Sequence, residues 1–333
     1  MKNFDKMSID EKAFYFEQAS GRLDLPPAAI EKDFWVTWIL GRLFLSDQLS
    51  SKILFKGGTS LSKVFGLIER FSEDIDLILD WNEIVSEDPN RNRSKSKQDQ
   101  FNKSIPALSQ KYIEEVVLPE VLRLMDGVCS AKIEEGAPDV INICYPSRFS
   151  DGYLRPEIRL EIGPLAQWIP HARYAVTSYV ADAFPDMFKD IHCHVVAIKA
   201  ERTFWEKATI LHYEAHRPGS SPIPARYSRH YYDLYKMTAN DALKQRVLHD
   251  LDLLKSVVAF KMKFYPRGWA RYDLAKPGTL KLVPSDSRLA ELSSDYGAMK
   301  EMFFGKICDF GEIIDGLRSL EFEINSGQSP FLS

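Results

Sequence analysis

Apolar residues follow two different periods along the chain. Phe14, Phe16, Ile30, Phe34, Trp35, Trp38, Ile39 and Leu43 recur at helical spacings, which predicts helices over Ser8 to Ala19 and Pro26 to Leu45, divided by Leu25-Pro26-Pro27. Lys32 and Asp33, inside the second, are expected to face solvent and to serve as packing scaffold. Then come a buried strand from Ile53 to Phe55, a Gly57-Gly58 break, a short helix from Thr59 to about Leu67, and a second strand carrying Asp74 and Asp76. Asn82 to Lys103 is rich in Asn, Arg, Lys, Ser and Asp without an apolar period, so it reads as a solvated, mobile excursion. Its Arg91, Arg93, Lys95 and Lys97 suit either a polyanion or plain hydration. Leu108 to Met125 returns to helical spacing through Tyr112, Ile113, Val116, Val117, Val121 and Leu124.

From Ala131 to Ile162 the period is two. Val140 to Tyr145 and Leu154 to Ile162 read as strands of one sheet, joined by a turn at Ser147-Arg-Phe-Ser-Asp-Gly152. Alternation in the second puts Ile158, Leu160 and Ile162 on one face and Glu157, Arg159 and Glu161 on the other. A further extended segment spans His194 to Ile198. From Glu201 the pattern is helical almost to the end: Arg202 to Glu214, Ser228 to Thr238, Asp241 to Phe260, a Gly/Pro-punctuated segment to Pro284, and two closing helices. Pro and Gly keep Ala215 to Arg226 a loop. No internal repeat is present. The expected class is α/β (α+β): a core with a small mixed sheet and N-terminal helices over residues 1–200, then a helical domain over 201–333.

With 333 residues, 45% of them apolar and 12% aromatic, the chain can build a deep pocket. A formal charge of −4 and a pI near 6.0 argue against coating nucleic acid by overall charge, so any basic patch must be local. Cys129, Cys144, Cys193 and Cys308 are scattered without a CxxC pair, so reduced thiols are expected. Met1 to Lys12 has no apolar run of signal-peptide length, and no stretch approaches the ~18 apolar residues of a membrane span. A soluble, cytoplasmic protein with no membrane partner is expected.

Asp74 and Asp76 share parity in a strand, so both side chains leave one face roughly 7 Å apart, within reach of one divalent metal. Asp80 lies roughly 13 Å further along and is too far to share it. Glu161 is a third acid of matching geometry if its strand lies beside that of Asp76, with Glu157 the competing candidate. Gly57-Gly58-Thr59-Ser60 opens a helix, where unpaired N–H groups favour an anion, and Lys56 and Lys63 flank it. Lys207 lies off the apolar stripe of Phe204, Trp205, Ala208 and Leu211, free to point out of that core. Asp233 stands one turn from Arg229, the spacing of an ordinary helical ion pair. Lys207, His212, His216, Arg217, Arg226, Arg229, His230 and Lys236 form the clearest basic concentration, a candidate wall for RNA or triphosphate. His192-Cys193-His194 lacks the further ligands a zinc site needs.

Phe55-Lys-Gly-Gly-Thr-Ser-Leu61, Arg70-Phe-Ser-Glu-Asp-Ile-Asp76, Arg159-Leu-Glu-Ile-Gly163, Thr203-Phe-Trp-Glu-Lys-Ala208 and Arg229-His-Tyr-Tyr-Asp-Leu-Tyr235 together resemble the AbiEii/AbiGii (MenT-like) nucleotidyltransferase toxin family. The resemblance runs in order from about residue 30 to 240; the C-terminal third matches only as generic helix. It implies a DNA polymerase β-like nucleotidyltransferase fold, and a toxin of a toxin–antitoxin or abortive-infection system that transfers nucleotides to the tRNA 3′ acceptor end and blocks translation. A cognate antitoxin is the implied protein partner. By motif position, Asp74 and Asp76 become the metal-binding pair, Gly58, Thr59 and Ser60 the phosphate loop, and Lys63 a triphosphate contact. Lys207 and Asp233 become the catalytic Lys and Asp of the later motifs. Gly57-Gly58 stands where many nucleotidyltransferases have Gly-Ser, so the loop hydroxyl falls to Thr59 or Ser60.

The expected reaction is Mg²⁺-assisted transfer of NMP from an NTP to an RNA acceptor, with Glu161 or Asp233 lowering the acceptor's pKa and Lys207 stabilising the polyphosphate. Two other readings stay open: the same chemistry on a protein or a small molecule such as an aminoglycoside, and an NTP-binding regulatory module without turnover. The stretch from Phe55 to Leu79 is expected to form one wall of a cleft, while Lys207 and Asp233, the groups expected to orient the reaction, lie in the helical domain.

Overall fold

Alternating burial along seven short strands builds one mixed sheet. A computed structural model describes residues 4–150, 154–164, 166–305 and 307–327. Its strands are β1 (Ile53–Lys56), β2 (Ile75–Leu79), β3 (Ser130–Glu134), β4 (Ala137–Cys144), β5 (Glu157–Gly163), β6 (His171–Val176) and β7 (Cys193–Ile198), in the order β3-β4-β5-β2-β1-β7-β6. The pairs β2–β5 and β1–β7 are parallel; the other four are antiparallel. One face carries Phe55, Ile75, Leu77, Leu79, Ile141, Ile143, Ile158, Leu160, Ile162, Val195 and Ala197, all in a single buried cluster. The opposite face carries the acids. β6 has no counterpart in the sequence reading, because its odd positions, His171, Arg173 and Ala175, are exposed at the sheet edge. Asp151 and Gly152 of the expected β4–β5 turn lie outside the described residues.

Helix α1 (Ile9–Leu23) begins at a capping box between Ser8 and Glu11, and α2 (Pro27–Leu45) lays its aromatic residues into the sheet's apolar face. The expectation that Lys32 and Asp33 face solvent is corrected: Glu31, Lys32 and Asp33 are 1%, 0% and 4% exposed. Each of the three holds a different segment. Glu31 accepts hydrogen bonds from the backbone N–H groups of Arg148 and Phe149. Lys32 pairs with Glu73 and donates to the Arg155 carbonyl. Asp33 pairs with Lys63 at 2.6 Å and accepts from the Tyr179 N–H.

Helix α3 (Gly57–Lys63) is shorter than the sequence suggests, since Gly66 turns the chain with a φ of +59°. The expected excursion is also corrected. Helix α4 (Lys95–Tyr112) begins inside it and buries Phe101 and Ile105, and a π-helical turn, Ile113–Val117, leads into α5 (Leu118–Met125). The loop before α4 is wound around Arg93, which donates to the carbonyls of Asp88, Pro89 and Arg91 and stacks 4.0 Å from the Phe101 ring centre. Helix α6 (Tyr179–Ala183) starts at a Ser178 cap.

A second unit contains α7 (Ala200–Ala215), α8 (Arg229–Thr238), α9 (Asp241–His249), α10 (Leu251–Phe264), α11 (Asp286–Ala298) and α12 (Phe310–Ser326). The single helix expected from Asp241 to Phe260 breaks at Asp250, whose side chain caps α10 by accepting from the Leu253 N–H. The segment Phe65–Arg70, although it precedes β2, groups with this unit. There Arg70 bridges to Phe303, and the Glu69 N–H donates to the Tyr232 hydroxyl.

Because Lys32 and Glu73 are both nearly buried, removing one charge strands the other. Lys32→Met is expected to lower stability by about 3 kcal/mol in urea unfolding. The double variant Lys32→Met/Glu73→Leu is expected to recover most of that loss.

Candidate active site

The acids meet through strand register. Lys56 pairs with Asp76 across β1–β2, and Asp76 with Glu161 across β2–β5, so the three side chains form one row on the face opposite the core. Asp74 stands immediately before β2. Glu157 lies at the start of β5, opposite Cys144 and 4.0 Å from Arg155, so Glu161 is the acid beside Asp76. Asp80 accepts from the Asn82 N–H and caps the turn after β2.

Gly57 is required on two counts. Its φ is +82°, and a Cβ there would fall 1.9 Å from Asp76 Oδ2. The Thr59 and Ser60 hydroxyls, expected to serve a phosphate loop, are turned inward. Thr59 Oγ1 donates to the Asp74 carbonyl, with the Ser72 carbonyl and hydroxyl 3.2 and 3.0 Å away, and Ser60 Oγ donates to the Gly57 carbonyl at 2.9 Å. Both residues are buried. Lys63 is turned toward α2, paired with Asp33 and 4.1 Å from the Tyr179 ring centre.

A guanidinium sits among the acids. Arg159 Nη1 donates to Glu161 Oε1 at 2.7 Å and lies 3.9 Å from Asp74 Oδ2, while Nε donates to Glu134 Oε2 at 2.9 Å. Burial, reinforced by the charges of Glu161 and Glu73, pushes the Asp74 carboxyl up to about 6. Among the described residues, no three His, Cys, Asp or Glu side chains are grouped as a ready-made metal cage. Lys56, Asp74, Asp76, Glu134 and Glu161 nonetheless present, with Arg159, four carboxylates against two cations. That formal excess of two negative charges fits one divalent ion.

In the helical unit, Lys207 and Asp233 are brought together. Lys207 Nζ lies 2.7 Å from Asp233 Oδ2, and Arg70 engages both Asp233 oxygens at 2.6 and 2.8 Å. Asp233 thus pairs with Arg70 and Lys207, where the sequence suggested Arg229. Lys207 is 7% exposed and does not point freely outward. Burial by itself would raise the Asp233 carboxyl, but the two cations reverse this and hold it well below the usual range. Burial lowers Lys207, with Asp233 opposing the shift.

Several cations of the basic concentration have partners within the chain. Arg217 pairs with Glu214 and Lys236 with Glu69. His212 is wholly buried: its Nδ1 accepts from the Lys281 N–H at 3.0 Å, so Nε2 is the protonated nitrogen and donates to the Arg271 carbonyl at 2.9 Å. Burial lowers its pKa to about 4.

Residues 38–315 match the family described as nucleotidyl transferase AbiEii toxin, type IV TA system. The chain belongs to this family. It is accordingly a nucleotidyltransferase toxin of the AbiEii type, with the family's nucleotidyltransferase fold, and an antitoxin is implied as its partner. AbiEii-type nucleotidyltransferases generally use a divalent metal. No curated protein matches the chain. Among solved structures it is similar to MenT4, a nucleotidyltransferase toxin from Mycobacterium tuberculosis H37Rv, at 15% identity and a TM-score of 0.46, over 94% of this chain and 96% of that one. It is also similar to JHP933 from Helicobacter pylori, at 15% identity and a TM-score of 0.35, over 90% and 98%. Membership rests on the family match. Among the described residues, no helix is long and apolar enough to cross a membrane.

Three residues that partner the expected site residues had no assigned role in the sequence reading: Arg70 in the helical unit, and Arg159 and Glu134 in the sheet unit. Arg70 opens the motif that ends at Asp76, so its position was a usable signal. Arg159 lay on the correct face, but nothing local identified its partners. Glu134 lies on a strand that pairs only with β4 and carries no motif.

Gly57→Ala combines a forbidden φ with a direct clash and is expected to cost about 3 kcal/mol, whereas Gly66→Ala, with nothing near its would-be Cβ, is expected to cost about 1 kcal/mol. Denaturant titration of the two variants measures the difference. For His212, the folded pKa lies below the unfolded value near 6.5. Its stabilising contribution is therefore present above pH 6.5 and is lost as pH falls toward 4, by about 3 kcal/mol. His212→Gln is expected to flatten that part of the stability–pH curve.

Proposed function

We propose that this toxin transfers a nucleoside monophosphate from an NTP to an RNA acceptor, with the tRNA 3′ end as the preferred site, and thereby stops translation in the cytoplasm. The acceptor hydroxyl oxygen bonds the α-phosphorus as the α–β phosphoanhydride breaks and pyrophosphate leaves. The observation that carries the reading is the row Lys56, Asp76 and Glu161 across β1, β2 and β5, with the Gly57 turn pressed against Asp76. Asp74 and Asp76 would hold a divalent cation, Mg²⁺ in this proposal, whose chemistry is to neutralise charge on the α-phosphate and polarise it toward attack.

The chain's own groups then divide the work. Lys56 balances triphosphate charge beside the acids. With the Thr59 and Ser60 hydroxyls bonded within the chain, phosphate oxygens are left to the backbone N–H groups that open α3. Glu161, beside Asp76, is the proposed acceptor of the proton from the attacking hydroxyl. In the helical unit Asp233 fixes Lys207 and Arg70. Two cations on one carboxylate leave a net positive charge suited to polyphosphate. Lys63, held by Asp33, supports the loop from within.

Incubating the purified protein with labelled NTPs and total tRNA is expected to label the RNA fraction, and Asp76→Ala is expected to reduce labelling at least about a hundredfold. Label appearing in the protein or small-molecule fraction would replace the RNA acceptor. Undiminished labelling by Asp76→Ala would remove the acid row from the mechanism.

A further inference from the structure

Arg159 lies on the same strand face as Glu161 and is shared by carboxylates from three places in the chain: Glu134 at 2.9 Å, Glu161 at 2.7 Å and Asp74 at 3.9 Å. Its side chain is 23% exposed, so these contacts are only partly screened by water. A guanidinium hydrogen-bonded to two carboxylates and near a third neutralises part of the charge that a divalent cation would otherwise meet. Guanidinium and cation draw on the same negative charge, so each weakens the other's hold on it.

The neighbouring strand offers the guanidinium somewhere else to go. Asn142 on β4 is the direct cross-strand partner of Arg159 and is 6% exposed. Its Oδ1 is buried without a hydrogen-bond partner. A buried acceptor left unpaired is costly, and movement of the guanidinium from Asp74 and Glu161 toward this cross-strand neighbour would satisfy it. Glu134, on the far strand, can follow the guanidinium there.

We propose that Arg159 is an internal counter-cation of the acid group, holding Glu161 and Asp74 until a divalent cation takes its place and then moving to Glu134 and the Asn142 carbonyl. Arg159 is thus a positioning residue, and the proposal rests on the reading of Asp74 and Asp76 as metal ligands.

The test is calorimetric titration of the full chain with Mn²⁺, together with thermal unfolding in EDTA and in saturating Mn²⁺. Arg159→Gln is expected to bind Mn²⁺ about tenfold more tightly. Its melting temperature is expected to fall below wild type in EDTA and to match wild type in Mn²⁺. Asn142→Val, which removes the alternative partner, is expected to bind about threefold more weakly. Should the Gln variant not fold, Arg159→Lys, which keeps the charge but not the fork, is expected to show tightening of lesser degree. Unchanged Mn²⁺ affinity in the Arg159 variants, or a melting deficit that persists in saturating Mn²⁺, would show that Arg159 stays in place and would overturn the proposal alone. Absence of Mn²⁺ binding in both wild type and the Arg159 variants would overturn the metal reading beneath it.

Discussion

The site depends on a carboxylate resting where a side chain would otherwise be. Asp76 packs over the α-carbon of Gly57, in space that any Cβ would fill, at a φ that an L-residue adopts only with strain. Turn geometry, strand register and acid placement are therefore one constraint. A one-residue slip of β2 would send Asp76 into the apolar face beside Phe55 and bring Leu77 out among the acids. The Thr59 hydroxyl ties the start of α3 to the Asp74 carbonyl, so the acid strand and the glycine turn are held from both ends.

Support for this arrangement comes from an unexpected place. Three consecutive charged residues on α2 point in three directions, about 100° apart, and each enters a different contact. Glu31 holds the chain after β4, Lys32 holds Glu73 beside Asp74, and Asp33 holds the end of α3 and the start of α6. Burial pushes Lys32 down and Asp33 up, so these pairs are not simple sources of stability. What they add is specificity: each charge is satisfied by its own set of partners, Glu31 by the Arg148 and Phe149 N–H groups, Lys32 by Glu73 and the Arg155 carbonyl, and Asp33 by Lys63 and the Tyr179 N–H.

Much of this was legible in the residues. The alternation Ile158, Leu160, Ile162 against Glu157, Arg159, Glu161 marks both faces of β5, and the parity of Asp74 and Asp76 marks which face they share. Local pattern could not reveal partners distant in sequence. Lys32 and Asp33 look solvated until Glu73 and Lys63 are brought to them by the fold. Asp233 has a plausible partner four residues away in Arg229, but the fold pairs it with Arg70, 163 positions earlier. Composition counts the cations of the basic concentration, whereas the fold pairs Lys207 with Asp233, Arg217 with Glu214 and Lys236 with Glu69.

The placement of Phe65–Arg70 with the helical unit has a consequence for how this protein is inherited and handled as a chain. The polypeptide passes from the first unit to the second, back again, and finally to the second once more. No single cut separates the two: a break after Ile198 leaves the helical fragment without Arg70, its principal counter-charge to Asp233. The two units are therefore not modules that recombination could exchange at one boundary.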